Sequence, residues 1–105
     1  MKLYDYYGNK VYLKKTKYVN NNVLAILMYC EDGEPYGTVT VNLPYAFHTD
    51  FDCSYVDTNN FDWGGRSIVA WLVENEIGEM TGELGESGWC VYPEMKFNLE
   101  GIEEE

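Results

Sequence analysis

Val23-Leu24-Ala25-Ile26-Leu27-Met28-Tyr29-Cys30 is apolar on both faces of an extended chain, and this stretch decides the fold class. Apolar residues on both faces are typical of a strand at the centre of a sheet that is covered on both sides. Asn20-Asn21-Asn22 precedes the stretch and Asp32-Gly33-Glu34-Pro35 follows it, and both are turn signals. The sequence therefore predicts a central β-strand that tight turns join to its neighbours.

Strand signals continue on either side of this central strand. Gly8-Asn9 predicts a two-residue hairpin loop between strands at residues 3–7 and 10–18. Residues 38–43 alternate between apolar and polar side chains, as a half-buried strand does. The inward set is Val39, Val41 and Leu43, and the outward set is Thr38, Thr40 and Asn42. Together these segments predict an antiparallel meander of four strands.

The second half of the chain contains one helix signal and a final strand. Residues 65–77 carry an apolar stripe at helical spacing, with Asp62 or Ser67 to cap the start and Gly78 to end it. A short strand is expected at residues 53–56, and a last one at residues 89–99, where Trp89, Val91, Met95 and Phe97 alternate with polar residues. Thr81-Gly82 and residues 85–88 are interpreted as turns.

The expected architecture is α+β: an antiparallel sheet of five or six strands with one α-helix packed on one face. The length of 105 residues predicts a single domain over residues 1–105, with a frayed acidic tail at residues 100–105. The sequence contains neither an apolar run long enough to span a membrane nor a signal-peptide core, which predicts a cytoplasmic protein. Cys30, Cys53 and Cys90 are accordingly expected to be reduced and buried.

The charge of the chain is divided unevenly along its length. Residues 1–17 contain five lysines and one acid, a local charge of +4, whereas residues 18–105 contain Arg66 and Lys96 against 17 acids, a local charge of −15. A dense acidic surface repels nucleic acid and attracts the basic surfaces that normally bind nucleic acid. The charge therefore favours a protein partner, in particular a basic nucleic-acid-binding protein, over a membrane or a direct nucleic-acid ligand.

Two groups of acids are candidates for binding that partner. One group spans the helix end and the next loop, and the other lies in the turn after the central strand. The residues are Glu74, Glu76, Glu79, Glu83 and Glu86, with Glu31, Asp32 and Glu34. Together with the Glu-rich tail they are expected to form a continuous negative surface. The alternative is that these acids only keep the protein soluble.

The aromatic residues offer a second candidate surface. The chain contains 10 Tyr, 4 Phe and 3 Trp, which is more than a core of this size can bury. Tyr4, Tyr6 and Tyr12 are predicted to lie on the polar face of the N-terminal strands, where tyrosine favours protein contacts. Packing between aromatic side chains on neighbouring strands is the alternative.

Signals for other chemistry are weak. His48, Asp50 and Asp52 alternate and would share one side of an extended segment, which suits a divalent metal, but a solvated loop explains them equally. Trp63-Gly64-Gly65-Arg66-Ser67 combines two glycines and a cation at a predicted helix start. Such a segment suits an anion site, and a simple turn is the alternative. No nucleophile motif or phosphate-binding loop is present in the sequence, so neither a catalytic residue, a cofactor nor a metal is predicted.

Three stretches together resemble a family of small acidic proteins of unknown function that are carried on mobile elements of Gram-positive gut bacteria. They are VDTNN (residues 56–60), WLVENEIGEMTG (residues 71–82) and SGWCVYPEMKFNL (residues 87–99), which span about the last half of the chain. The resemblance implies a setting in a bacterial cytosol as cargo of a plasmid or conjugative element. Small acidic cargo proteins of this kind include anti-restriction and anti-CRISPR proteins, several of which mimic DNA.

Charge and resemblance together predict a non-enzymatic inhibitor with a DNA-mimic-like acidic surface. Its expected target is a basic nucleic-acid-handling defence protein, and an RNA-guided CRISPR nuclease fits because its nucleic-acid channels are basic. The alternative is an interaction or regulatory module of a plasmid or conjugative element that acts through the tyrosine-rich sheet face. A small metal-dependent enzyme that uses His48, Asp50 and Asp52 is a third hypothesis. The expected oligomeric state is a monomer or a homodimer.

Overall fold

A computed structural model of the chain describes residues 1–43 and 50–105, and these residues form two β-sheets and two short helices. The first sheet contains β1 (Tyr4–Tyr6), β2 (Asn9–Lys17), β3 (Leu24–Cys30), β4 (Pro35–Thr38) and β9 (Glu103–Glu104). The second contains β5 (Thr40–Val41), β6 (Cys53–Val56), β7 (Gly78–Ser87) and β8 (Cys90–Phe97). The helices are α1 (Thr58–Phe61) and α2 (Ile68–Glu74).

This architecture confirms a small, mainly β fold of the α+β type, but the prediction of a single sheet is wrong. The chain passes from the first sheet to the second at Val39, whose N–H donates to the Ile26 carbonyl (2.8 Å) and whose carbonyl accepts from the Asp57 N–H (2.8 Å). The one strand predicted at residues 38–43 is therefore divided between β4 and β5. Thr40, predicted to face outward, is buried, and its hydroxyl accepts from the Ile26 N–H (3.2 Å).

The predicted central strand is confirmed as β3. It pairs antiparallel with β2 on one side and with β4 on the other. Leu24, Ala25, Ile26 and Met28 are buried, so side chains from both of its faces are covered. One cluster of buried side chains continues from this strand into the second sheet and both helices, which places the main core between the sheets and α2.

The hairpin of β1 and β2 shows that the prediction of a polar face is wrong for Tyr4 and Tyr6. Directly opposite residues of an antiparallel pair point to the same side. Tyr4 lies opposite the buried Val11, so Tyr4 and Tyr6 face the core rather than solvent. The two-residue loop is Tyr7-Gly8, with φ of 47° and 94°, which is one residue earlier than predicted. Tyr12 points to the other side of the sheet.

Tyr6 is the clearest of these corrections, because it is 1% exposed and cannot contact a partner. Its ring meets Trp71 of α2 edge-on, with the centroids 5.0 Å apart. Tyr4 makes a similar contact with Trp71 at 5.8 Å, and the indole N–H of Trp71 donates to the Asp5 carbonyl (2.8 Å). These contacts hold α2 on the inner side of β1.

Tyr6→Phe is expected to stabilise the protein by about 1 kcal/mol at neutral pH, because none of the described residues is a hydrogen-bond partner for the buried Tyr6 hydroxyl. Burial raises the pKa of Tyr6 to about 12, so the folded state keeps this proton while the unfolded chain loses it near pH 10. The contribution of Tyr6 to the free energy of unfolding therefore falls as the pH rises from about 10 to about 12. The phenylalanine variant has no proton to lose and should not show this decrease. Urea unfolding at pH 7 and at about pH 11 measures both effects. A variant less stable than the parent at pH 7 would show that the hydroxyl is hydrogen-bonded.

The helix prediction is right in position and too long. Both proposed caps contribute: Ser67 Oγ accepts from the Ala70 N–H (3.1 Å) and Asp62 Oδ1 accepts from the Ile68 N–H (2.9 Å). Gly64 and Gly65 have positive φ and lie before the helix, and Gly78 begins β7 instead of ending α2. No helix among the described residues has the length and apolarity that crossing a membrane requires.

Strand β7 was missed because its glycines were interpreted as turn signals. Met80 pairs with Met95 and Leu84 with Pro93, so residues 81–83 form an irregularity within the strand rather than a turn. A Cβ atom on Gly85 would lie 2.4 Å from Leu43 Cδ1 and 2.7 Å from the Tyr55 ring. Glycine is present here because two elements approach closely, and the true turn follows at residues 88–89.

Part of the acidic tail packs on the first sheet. Ile102 is buried, and β9 pairs parallel with β2, so that Glu103 lies beside Lys14 and Glu104 beside Lys15. A backbone hydrogen bond from the Glu105 N–H to the Lys15 carbonyl (3.0 Å) joins the tail to β2. Acids of the tail thus lie against the lysine-rich strand of the same chain.

Candidate partner-binding surface

A groove of about 770 Å³ opens between the end of α2 and the second sheet. Its apolar lining comes from Phe51, Val73, Phe97 and Leu99. Asp52, Glu76, Glu79 and Lys96 contribute the charged side chains. We call this set of eight residues the acidic groove. It joins apolar contact area to three carboxylates and one cation, which is suited to binding a basic and partly apolar protein surface.

Strand pairing positions two of these charges. Glu79 lies opposite Lys96 in the β7–β8 pair, and Lys96 is also opposite Cys53 in the β6–β8 pair. Within the described residues, one ion pair is present at up to 4.0 Å, between the Met1 amino group and Glu103. The carboxylates of the acidic groove are therefore not neutralised by close ion pairs and remain available to an external cation.

Glu76 is positioned by the end of α2. The Ile77 N–H donates to the Leu72 carbonyl (2.9 Å) and the Glu76 N–H to the Val73 carbonyl (3.0 Å), which is the hydrogen-bond pattern of a Schellman motif. This motif requires a left-handed residue after the helix, and Glu76 has φ +59°. Ile77, the next residue, is buried and fixes the chain direction. A glutamate thus occupies a backbone position that favours glycine.

Glu76→Gly is expected to stabilise the protein by about 1 kcal/mol, because glycine adopts the left-handed conformation without the cost that a Cβ atom adds. Glu76→Ala removes the same charge but keeps the Cβ atom, so it serves as the matched control and should leave stability within about 0.5 kcal/mol. Thermal and urea unfolding of the two variants test the difference. Equal stability of the two variants would contradict the assignment of strain to Glu76.

The hairpin of β7 and β8 extends beyond the groove and carries exposed apolar side chains. We call residues 80–93 of this hairpin the arm. Leu84 lies opposite Pro93 and Glu86 opposite Val91, so these residues share one face. The exposed apolar residues of the arm are Met80, Leu84, Trp89 and Val91, and Trp89 at the turn is fully exposed. Contiguous exposed apolar residues usually mark an interaction surface.

The predicted acids do not form one continuous surface. Glu76 and Glu79 line the groove, Glu74 is exposed at the end of α2, and Glu83 and Glu86 lie on the arm. They follow one another along the chain, but Glu79, opposite Lys96, and Glu86, opposite Val91, point to different faces of the β7–β8 pair. We call them the acidic stripe.

The other predicted acids lie at a distance from the acidic stripe. Glu31, Asp32 and Glu34 form the turn between β3 and β4, beside Cys30 at one end of the β2–β3 pair. The other end of this pair leads to Val23, which packs against Tyr92 of the arm. The strand rise puts the two ends about 20 Å apart. The turn between β3 and β4 is therefore a separate acidic site.

Several residues of this surface were missed by the sequence reasoning. The sequence predicts Asp52 only as a metal ligand and places Trp89 within the last strand, in alternation with polar residues. Met95 and Phe97 are buried as predicted, but Trp89 lies in the turn and is exposed. The turn predicted at residues 85–88 is correct at Gly88, which has φ +60°, and it extends one residue further to include Trp89.

The metal hypothesis gains only part of its ligand set. The ligand atoms of Asp50, Asp52 and Cys53 lie within 4.8 Å of one another, whereas His48 lies outside the described residues. Burial, followed by the nearby Glu94, Asp52 and Asp50 carboxylates, raises the pKa of Cys53 to about 11. In the metal-free protein the Cys53 thiol is therefore protonated at neutral pH. Two neighbouring carboxylates are common at protein surfaces and do not by themselves define a metal centre.

The segment with the two glycines is explained by packing. The Arg66 guanidinium lies over the Trp63 ring (4.3 Å) and the Tyr7 ring (5.4 Å), and it donates to the Tyr36 hydroxyl (3.4 Å). Two of the N–H groups that an anion would use at the start of α2, those of Ile68 and Ala70, are bonded by Asp62 and Ser67. This arrangement favours the turn interpretation over an anion site.

Comparison with known proteins adds a family but no function. The family model of a domain of unknown function (DUF4313) matches residues 12–104. No curated protein and no solved structure matches the chain. Because the family model covers most of the 105 residues, the chain belongs to the family of this domain of unknown function, DUF4313.

Proposed function

We propose that this protein is a non-enzymatic inhibitor that binds a basic nucleic-acid-handling defence protein through its acidic stripe. The observation that carries the proposal is the placement of Glu74, Glu76, Glu79, Glu83 and Glu86 along the end of α2 and β7, beside exposed apolar side chains. The leading target is an RNA-guided CRISPR nuclease, whose nucleic-acid channels present lysine and arginine to phosphates. Exposed carboxylates would compete with those phosphates for the same cations.

The energetics of the isolated chain support this proposal. A net charge of −11 on 105 residues repels itself and lowers the stability of the compact state. A basic partner relieves this repulsion, so the same charges that oppose folding favour binding. The resemblance to proteins carried on mobile elements supports the setting, since such elements encounter the nucleases of their hosts.

A cleavage assay tests the proposal directly. A purified Cas9-type nuclease loaded with guide RNA is mixed with this protein before target DNA is added, and cleavage is measured at rising salt. We expect inhibition whose apparent affinity falls about tenfold or more between about 0.05 M and about 0.3 M NaCl, because exposed charges are screened over this range. A DNA-binding control with the protein alone should show no complex. Full cleavage at low salt and excess inhibitor would reject this target.

A second candidate function is favoured by one observation on the outer face of the first sheet. Tyr12 stacks on Tyr29 with ring centroids 5.4 Å apart, and Lys10 and Lys14 lie on the same face of β2. This pair would serve an interaction or regulatory module of a plasmid or conjugative element. Binding through this face should survive moderate salt and fail in a Tyr12→Ala, Tyr29→Ala variant, which is the opposite of the behaviour expected of the acidic stripe.

A further inference from the structure

The arm exposes apolar side chains on one face only. Near the end of α2, this face of the second sheet is covered, and Met95 and Phe97 are buried. Further along the hairpin, Leu84 and Val91 are 62% and 49% exposed, and Trp89 at the tip is fully exposed. The apolar stripe of the core therefore continues out of the core and into solvent.

The opposite face of the arm is fixed to the rest of the molecule. Gly85 lies opposite Tyr92, and its lack of a side chain allows close contact with Leu43 and Tyr55. Tyr92 is buried with Leu43 and Val23 in a second apolar cluster. These contacts on one face of the arm hold its exposed face in a fixed orientation. A fixed orientation reduces the conformational entropy that is lost on binding.

The free edge of β7 is less suited to binding than this face. β7 is the last strand of the second sheet, so one side of its backbone is not paired within that sheet. However, residues 81–83 interrupt its regular pairing, and Glu79, Glu83 and Glu86 add charge to this strand. Irregular pairing and charge are the features by which proteins prevent strands from adding to an edge.

Charge decides which occupant suits the exposed face. Glu86 lies directly opposite Val91, and Glu83 adjoins Leu84 in the chain, so carboxylates accompany the apolar residues of the arm. Two copies that met through their arms would bring these acids together. Anionic membranes and nucleic acids are repelled for the same reason. A basic protein surface is the occupant for which the charge is favourable.

We propose that the arm docks into an apolar cleft rimmed by lysine or arginine on a partner protein, with Trp89 and Leu84 inserted and Glu83 and Glu86 paired to the rim. This inference rests on the proposed function and adds the part of the molecule that anchors the complex. Tryptophan at the centre of a contact commonly contributes more than its charged neighbours, which mainly set the association rate. The arm therefore determines how slowly the complex dissociates.

The test compares dissociation of a guide-loaded Cas9-type nuclease from wild-type protein and from a Leu84→Ser, Trp89→Ser variant. We expect the variant to lose at least about 30-fold in affinity, mostly through faster dissociation, with the loss persisting at high salt. Val19→Ser, a change at a fully exposed apolar side chain outside both the arm and the acidic groove, is the matched control. Both sites are exposed, so thermal unfolding of the variants should match the parent.

The outcomes separate the arm from the proposed function. Tight binding by the wild type and by the arm variant alike overturns the arm inference and leaves the inhibitor proposal standing. If the wild type does not bind the nuclease, the proposed target is rejected, and a photo-crosslinking residue at position 89 then tests the arm in a bacterial lysate. A crosslink to one identified basic protein supports the arm inference. A crosslink to a second copy of this chain, to an acidic protein or to nothing overturns it.

Discussion

Replacing Trp71 by alanine is expected to lower the free energy of unfolding by about 4 kcal/mol, the largest effect on stability of the changes considered. The Trp71 side chain is buried where α2 meets β1, with the rings of Tyr4 and Tyr6 against it. Alanine leaves a cavity there and removes the hydrogen bond to the Asp5 carbonyl. Because a domain of this size is stabilised by only about 5–15 kcal/mol, the variant is expected to be close to unfolding at physiological temperature.

Two further variants separate the contribution of the Trp71 side chain to stability from that of the rest of α2. Val73→Ala alters a largely exposed side chain of the same helix and should cost less than about 1 kcal/mol. Trp71→Phe keeps an aromatic ring but lacks the N–H, so its loss of stability should lie between those of Val73→Ala and Trp71→Ala. Urea unfolding followed by fluorescence and by circular dichroism measures all three. A Trp71→Ala variant that loses less than about 1.5 kcal/mol would mean that α2 contributes little to the fold.

The largest expected effect on binding comes from reversing three charges on the acidic stripe. A Glu74→Lys, Glu76→Lys, Glu79→Lys variant should lose about 100-fold or more in affinity for a basic partner, because three favourable contacts become repulsive. These side chains are exposed at the end of α2 and the start of β7. The fold should survive, with a small loss from placing a lysine at position 79 opposite Lys96.

The control for charge reversal is a second triple variant. It has the same net charge as the first, but its three changes lie outside the acidic stripe. Glu31→Lys, Glu34→Lys and Glu100→Lys alter exposed acids outside the acidic stripe. We expect this variant to bind with an affinity within about fivefold of the wild type, since a screened charge outside the contact acts mainly on the association rate. Equal losses in the two variants would show that total charge, rather than the acidic stripe, determines binding.

The parts of the fold that were predicted correctly are set by interactions between residues close together in the sequence. β3 was recognised because a strand covered on both faces needs apolar residues at every position, and residues 24–28 show this pattern without reference to the rest of the chain. The caps of α2 are Asp62 and Ser67, whose side chains reach backbone amides only a few residues away. The burial of Met95 and Phe97 followed from alternation along one strand.

The candidate site was predicted in its chemistry but not in its geometry. The sequence identifies an excess of carboxylates and the acids between residues 74 and 86, because charge is a property of composition. It does not show that Glu76 and Glu79 share a groove with Phe51 and Asp52, or that the turn holding Glu31 lies elsewhere. Those relations depend on which strands pair, and the pairing of β6 with β8 joins segments about 40 residues apart.

The strand-rich class, the central strand, the helix start and the acidic character can all be predicted from the sequence, since each follows from local periodicity, capping or composition. Tertiary structure alone decided the division into two sheets at Val39, the inward direction of Tyr6 and the pairing of the acidic tail with the lysines of β2. It also decided that Gly85 serves close packing rather than a turn. These features depend on contacts between distant segments, whose free energy no short stretch of sequence contains.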